Sequence, residues 1–337
     1  MRTREAGLYP TPSAPIRISE LDEGAGIPVA LQPEGDDIDL VNWARENRTL
    51  METLVRRKGA LLFRGFTISS LSGFREFAQA TCEALMPYSE PSTVRSELAD
   101  NVYTTTAHPP TERISLHSEM SYSNVWPLRI WFHCVRTADS GGETPIADNR
   151  TIFNRLSPAI RETFGRKRVM YVRNYGEGLG LPWQSVFNTT DKSAVEQQCR
   201  ENNLECEWID ETRLRTRCVR HAVLSHPKTG EMVWFNQAHI HNILNFPAEF
   251  RDALLSMVES REFPLDINCV YGDGSPIEAS VLEEIRSVYQ KSSVAFPWRN
   301  GDVLMLDNIM VSHGRNPFSG PRKIVVTMGD PWFAPEL

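Results

Sequence analysis

The stretch GDVLMLDNIMVSHGRNPFSGPRKIVVTMGD, residues 301–330, decides the fold. It alternates strands with turns, one strand over 302–306 and another over 323–328. Far upstream, Gly59-Ala60-Leu61-Leu62-Phe63, closed by Arg64-Gly65-Phe66, is apolar and short, which suits a buried strand better than a helix. Residues 128–136 are β-branched and aromatic, and a Gly141-Gly142 turn leads into a second extended piece over 144–147. Strands at both ends with helices inserted between them predict one barrel-like β core dressed with helices. Parallel βαβ alternation is absent, as are G-x-G-x-x-G and the P-loop.

Working outward, residues 1–38 are rich in Pro, Gly and acidic groups and read as an extended lead-in, leaving 39–337 as a single domain. Leu40, Trp43, Met51 and Leu54 recur at helical spacing over 39–57, and a second helix is expected over 71–85 with Ser70 as its cap. Helical insertions are expected between about 149 and 300, over 149–165, 190–202, 247–261 and 276–290. Residues 212–225 and 231–237 read as a hairpin around Pro227-Lys228-Thr229-Gly230.

Of the 337 residues, 41% are hydrophobic and 23% charged, the balance of a globular chain that buries a sizeable core. The net charge of −7 gives no broad basic field for nucleic acid. Apolar runs such as 60–63 and 130–135 are far shorter than the roughly 20 residues of a membrane span, and residues 1–15 carry no apolar signal segment. Six cysteines, at 82, 134, 199, 206, 218 and 269, form no C-x-x-C pair and read as reduced core thiols of a cytoplasmic protein.

Two neutral imidazoles and one carboxylate on one face suffice to hold a non-haem iron and leave coordination positions open. His117-Ser118-Glu119 is an H-x-E in which alternation along a strand points both ligands the same way. His313 lies in Asp307-Asn308-Ile309-Met310-Val311-Ser312-His313-Gly314-Arg315, and Arg322 opens the apolar strand that follows. Alone, an H-x-E is equally a polar pair at a strand end; the combination carries the inference.

These segments together resemble the TauD/TfdA-like family of iron(II)- and 2-oxoglutarate-dependent dioxygenases. The matching residues are Lys58 to Phe66, His117-Ser118-Glu119, Gly141-Gly142-Glu143-Thr144-Pro145-Ile146-Ala147-Asp148, His313-Gly314-Arg315-Asn316-Pro317 and Gly320-Pro321-Arg322-Lys323-Ile324. Within that family the chain resembles stand-alone members associated with non-ribosomal peptide pathways. The resemblance implies a mainly β fold with α insertions, a double-stranded β-helix (jelly-roll) core of the clavaminate synthase-like type. It implies Fe(2+) bound by His117, Glu119 and His313, and 2-oxoglutarate bound by Arg322, through a two-pronged guanidinium–carboxylate match, and by the Thr144 hydroxyl. Glu119 stands where Asp is usual in the family, and the short Arg spacing leaves Arg315 as the second candidate for the Arg322 role. A halogenase is disfavoured, because such enzymes replace this carboxylate with a small residue.

The implied reaction consumes molecular oxygen, releases succinate and CO2, and hydroxylates an amino acid or carrier-bound aminoacyl group in specialised metabolism such as antibiotic biosynthesis. A displaced substrate would divert it to desaturation or cyclisation. A zinc hydrolase or isomerase with the same three ligands, or a non-catalytic carrier-binding protein, are the readings from other classes. His239-Ile240-His241 is a second same-face pair, read as structural or substrate-facing for want of a carboxylate at matching spacing. Asn236 and Gln237 end a strand where substrate polar groups would be read. Arg213, Arg215 and Arg217 alternate along one strand face, a solvated edge or a docking face for an acidic carrier protein. Trp126, Trp131, Trp183 and Trp298 read as core or pocket wall.

Overall fold

A computed structural model describes residues 12–13, 15–21, 24, 26–68, 70–87, 96–105, 108–176, 181–246, 248–257 and 265–336. Its main sheet has eight strands in the spatial order Ile16–Glu20, Val29–Pro33, Ala60–Phe63, Val303–Asp307, Val125–Arg136, Lys323–Phe333, Val102–Thr104 and Glu97–Ala99. All neighbours are antiparallel except Val29–Pro33 with Ala60–Phe63. A three-stranded sheet, Ile114–His117, Val311–Arg315 and Ile146–Asp148, faces it.

Period-two alternation explains why the central strands are continuously apolar. Ala60, Leu62, Ile130, Phe132, Leu304, Leu306, Ile324 and Val326 point inward and share one buried cluster with Ile146 and Val311 of the small sheet. The intervening residues, Leu61, Phe63, Trp131, Val303, Met305 and Val325, point to the other face. There they pack against Leu40, Trp43, Leu54, Phe74 and Phe77 from helices Leu40–Glu46, Arg48–Lys58 and Leu71–Ala80. With both faces covered, each strand has no polar side to show.

Several sequence expectations are corrected. Within the stretch read as a lead-in, Ile16–Glu20 and Val29–Pro33 are strands of the main sheet, because Val29 and Leu31 find cover under the helices. The helix expected over 39–57 is two, since Asn47 turns its amide back to donate to the Trp43 carbonyl. Pro158 likewise divides 149–165 into Asn149–Arg155 and Pro158–Lys167. Ser70 does cap its helix, accepting from the Gly73 N–H at 3.1 Å, but that helix ends at Ala80. The helix expected over 247–261 is described as Ala248–Met257, and its remainder falls outside the described residues.

The insertion is not purely helical. It holds a four-stranded sheet in the order Glu205–Trp208, Leu214–Arg220, Val169–Tyr175 and Ile267–Tyr271. The 227–230 hairpin joins Val223–Ser225 to Met232–Trp234, but the strand expected over 212–225 is two, since Leu214–Arg220 belongs to the four-stranded sheet. All six cysteines are free thiols, five buried and Cys206 half-buried. Among the described residues no helix is long and apolar enough to cross a membrane.

Candidate metal centre

The middle strand of the small sheet, Val311–Arg315, brings the ligand candidates together. His313 pairs with His117 on one side and with Ile146, two residues past Thr144, on the other. Gly314 is required by close approach, since a Cβ there would sit 2.5 Å from the Ile114 carbonyl oxygen. Ligand atoms of His117, Glu119 and His313 all lie within 4.8 Å of one another. His313 Nε2 is 3.8 Å from a Glu119 carboxylate oxygen, and the two imidazole centroids are 4.6 Å apart.

The strand ends at His117, so Glu119 is not aimed by strand alternation, and Met120 beyond it has φ of 57°. A side chain from the other end of the chain holds it instead. Asn308 accepts from the Glu119 N–H at 2.7 Å and donates to the Glu119 and Pro127 carbonyls, both at 3.0 Å. Asn149 Nδ2 donates to the Ser118 hydroxyl at 3.0 Å, and Gln237 Nε2 donates to the Ser118 carbonyl at 2.9 Å. On the other imidazole, His117 Nδ1 faces the Ser115 carbonyl at 2.8 Å. A carbonyl only accepts, so Nδ1 carries the proton and Nε2 keeps its lone pair toward the centre. Asn308, Asn149 and the positioning role of Gln237 were not legible in the sequence.

Neighbouring Asp307 anchors this turn. Its carboxylate accepts from the Ile309 and Met310 N–H groups and from His226 and Arg129. Burial alone would raise its pKa; the His226 hydrogen bond and the Arg129 charge outweigh that and hold it below the ordinary carboxylate range.

A small cavity of about 40 Å³ opens beside the ligand candidates, with Phe132 and Val326 as apolar wall and Thr144, Arg315 and Arg322 as polar groups. Arg322 donates from Nε to the Gly142 carbonyl at 2.9 Å, and it has no ion-pair partner among the described residues. Burial, then the neighbouring Arg315 charge, lowers its pKa to about 10, so it remains a cation at neutral pH. Gly142 has φ of 76°, and a Cβ there would come within 3.0 Å of Arg322 Cδ. Arg315 is committed elsewhere: it donates to the carbonyls of His108, Pro109 and Glu112. Thr144 Oγ1 accepts from Trp298 Nε1 at 3.2 Å, which directs the hydroxyl hydrogen away from the indole. The Arg322 guanidinium and the oriented Thr144 hydroxyl are the groups this cavity offers to a carboxylate.

The other expected site residues lie elsewhere. His239 sits in a turn, with Nε2 on the Leu116 carbonyl and its ring stacked on Tyr289, and His241 Nε2 donates to Gln237 Oε1. Burial holds both at about 3, so both are neutral structural groups. Asn236 Nδ2 donates to the Ala222 carbonyl. Arg213 pairs with Asp210 of the connecting loop, and Arg215 and Arg217 share Glu207 of the adjacent strand. Trp126, Trp131 and Trp183 are buried core.

A model of the taurine catabolism dioxygenase TauD, TfdA family matches residues 23–328. The chain is 39% identical over 281 residues to the dapdiamide synthesis protein DdaC of Enterobacter agglomerans, covering 83% of this chain and 85% of that one. It is 27% identical over 288 residues to a clavaminate synthase-like protein of Arabidopsis thaliana, covering 82% and 83%. In three dimensions it resembles PvcB, an Fe, alpha-ketoglutarate dependent oxygenase from an isonitrile synthetic pathway, with a TM-score of 0.55 at 15% identity over 94% of this chain and 92% of that one. AAD-2, solved with Mn(II) and N-oxalylglycine, gives a TM-score of 0.53 at 14% identity over 96% and 98%. The mainly β core is therefore the jelly roll of these oxygenases. With a family match over most of its length and a relative at 39% identity, the chain belongs to the TauD/TfdA family of Fe(II)- and 2-oxoglutarate-dependent dioxygenases.

Proposed function

We propose that this dioxygenase hydroxylates an unactivated C–H bond of an amino acid or carrier-bound aminoacyl group in specialised biosynthesis, releasing succinate and CO2. The observation that carries the reading is one cluster: two imidazoles and a carboxylate within 4.8 Å, beside a cavity with Thr144 and an Arg322 that has no ion-pair partner among the described residues. His117, Glu119 and His313 would hold Fe(II), a donor set that leaves coordination positions open. Arg322 would clamp the distal carboxylate of 2-oxoglutarate in its planar fork, and Thr144 would donate its hydroxyl hydrogen to the same group. Iron with a bound 2-oxo acid supplies the oxidising chemistry, while the protein supplies geometry and a dry site. The carbonyl of Ser115 fixes the His117 tautomer, Asn308 fixes the backbone under Glu119, and Phe132 and Val326 exclude water. A biosynthetic role is supported by the dapdiamide synthesis relative, and a cytoplasmic setting by the free buried thiols.

The test is succinate formation from 2-oxoglutarate across free amino acids and carrier-loaded aminoacyl groups. Turnover is expected to require Fe(II) and oxygen and to vanish in His117→Ala. Coupled turnover that persists in that variant removes the metal assignment.

A further inference from the structure

The run Lys58 to Phe66 contains an arginine that neither the metal centre nor the small cavity uses. Strand register sets Val303 opposite Phe63, so Arg64 and Asp302 meet one step beyond the paired residues. Arg64 is 7% exposed and Asp302 1%, and their contact is two-pronged. Nε donates to Oδ1 at 3.0 Å and Nη2 to Oδ2 at 2.6 Å. Each partner has a further contact, and both contacts fall on one short segment. Arg64 Nη2 also donates to the Pro297 carbonyl at 2.8 Å, and Asp302 Oδ2 accepts from the Arg299 N–H at 2.8 Å. Those groups belong to the two peptide units that flank Trp298. The backbone there is neither helix nor strand, and Pro297 and Arg299 are exposed. Phe296 is buried and meets the Trp298 ring edge-on, with 5.4 Å between centroids. The indole Nε1 then donates to Thr144 Oγ1 at the wall of the small cavity.

We propose that Arg64 is a positioning residue for the co-substrate: with Asp302 it fixes the backbone on both sides of Trp298, and through the indole it sets where the Thr144 hydroxyl points. A buried ion pair gains little net stability once the desolvation of both charges is counted, so what it supplies here is geometry. The guanidinium suits the task because its planar fork holds a carboxylate with two N–H groups and keeps another for a carbonyl, which a lysine ammonium does not reproduce. Without this clamp the exposed segment gains freedom, and the indole no longer holds a hydroxyl whose hydrogen has to meet a carboxylate. This role rests on Thr144 binding 2-oxoglutarate as proposed above.

The test is calorimetric titration of 2-oxoglutarate into the full chain loaded with Mn(II), arranged as a double-mutant cycle. Arg64→Lys keeps a charge beside Asp302 but loses the fork. It is expected to weaken 2-oxoglutarate by about fivefold, as is Trp298→Phe, with Mn(II) affinity unchanged. In the Trp298→Phe background no indole N–H remains to be aimed, and Arg64→Lys is expected to add less than about twofold. Arg64→Gln combined with Asp302→Asn leaves no lone buried charge and repeats the measurement should the lysine variant not fold. Thr144→Val tests the underlying contact. Parent affinity in Thr144→Val removes the co-substrate reading and this role with it. A loss in Thr144→Val beside parent affinity in the Arg64 variants overturns the role of Arg64 alone, as do losses that multiply to about 25-fold in the cycle.

Discussion

Replacing Asn308 by Ala is the sharpest probe of how Glu119, the proposed carboxylate ligand, is held. The fully buried amide makes three hydrogen bonds, one from the Glu119 N–H and two to the Glu119 and Pro127 carbonyls. Its removal orphans a buried donor and two acceptors, each costing about 1–3 kcal/mol if nothing replaces the partner. Partial relaxation leaves an expected loss of ~3–5 kcal/mol, at the upper end for a single substitution. Because Glu119 lies beyond its strand, the same change frees the backbone of this proposed ligand, and Mn(II) affinity is expected to fall by roughly 10–100-fold. Asn308→Asp keeps the acceptor for Glu119 N–H but turns an oxygen toward two carbonyls, so it is expected to be no better than Ala. Urea unfolding measures the first quantity, and Mn(II) titration followed by electron paramagnetic resonance measures the second, below the unfolding transition. Stability within ~0.5 kcal/mol of the parent together with unchanged Mn(II) affinity would refute the reasoning.

Arg322→Gln is expected to raise the KM for 2-oxoglutarate by roughly 30-fold or more, a loss of at least ~2 kcal/mol for a buried charge pair, with Mn(II) affinity unchanged; steady-state kinetics and titration separate the two. Trp298→Phe removes the donor that orients Thr144 and is expected to raise the same KM by about fivefold, or ~1 kcal/mol, with no change in thermal midpoint. His239 and His241 are held near 3 by burial, so the unfolded chain binds protons that the folded chain refuses once pH falls below about 6.5. Stability is therefore expected to fall from pH 6.5 toward 3, by up to ~1.4 kcal/mol per pH unit for each histidine. His241→Gln should flatten the slope in urea-unfolding series at several pH values.

The core was legible because its signal is local. Runs such as 60–63 and 303–306 announce strands covered on both faces, and His117, Glu119, His313, Thr144 and Arg322 stand in short motifs. What escaped depends on distance in three dimensions. Nothing near Asn308 says that its amide reaches a backbone 189 residues away. The indole of Trp298 reads as apolar wall until Thr144 is seen beneath it. The helix breaks at Asn47 and Pro158 turn on single residues inside otherwise regular apolar spacing. Strands Val169–Tyr175 and Ile267–Tyr271 were missed because their pairing comes from an insertion sheet whose members are scattered between helices. The arginines of Leu214–Arg220 read as a solvated edge or a docking face because spacing alone cannot show that the strand lies between two others, with Glu207 beside it.

Strand Val303–Asp307 sits between Ala60–Phe63 and Val125–Arg136, although it is among the last segments of the chain. A nascent polypeptide emerging from the ribosome thus carries two apolar strands with open edges until residues 303–307 have been added. Those edges are templates for wrong pairing, and products truncated before residue 303 should accumulate in inclusion bodies or on chaperones rather than as soluble fragments.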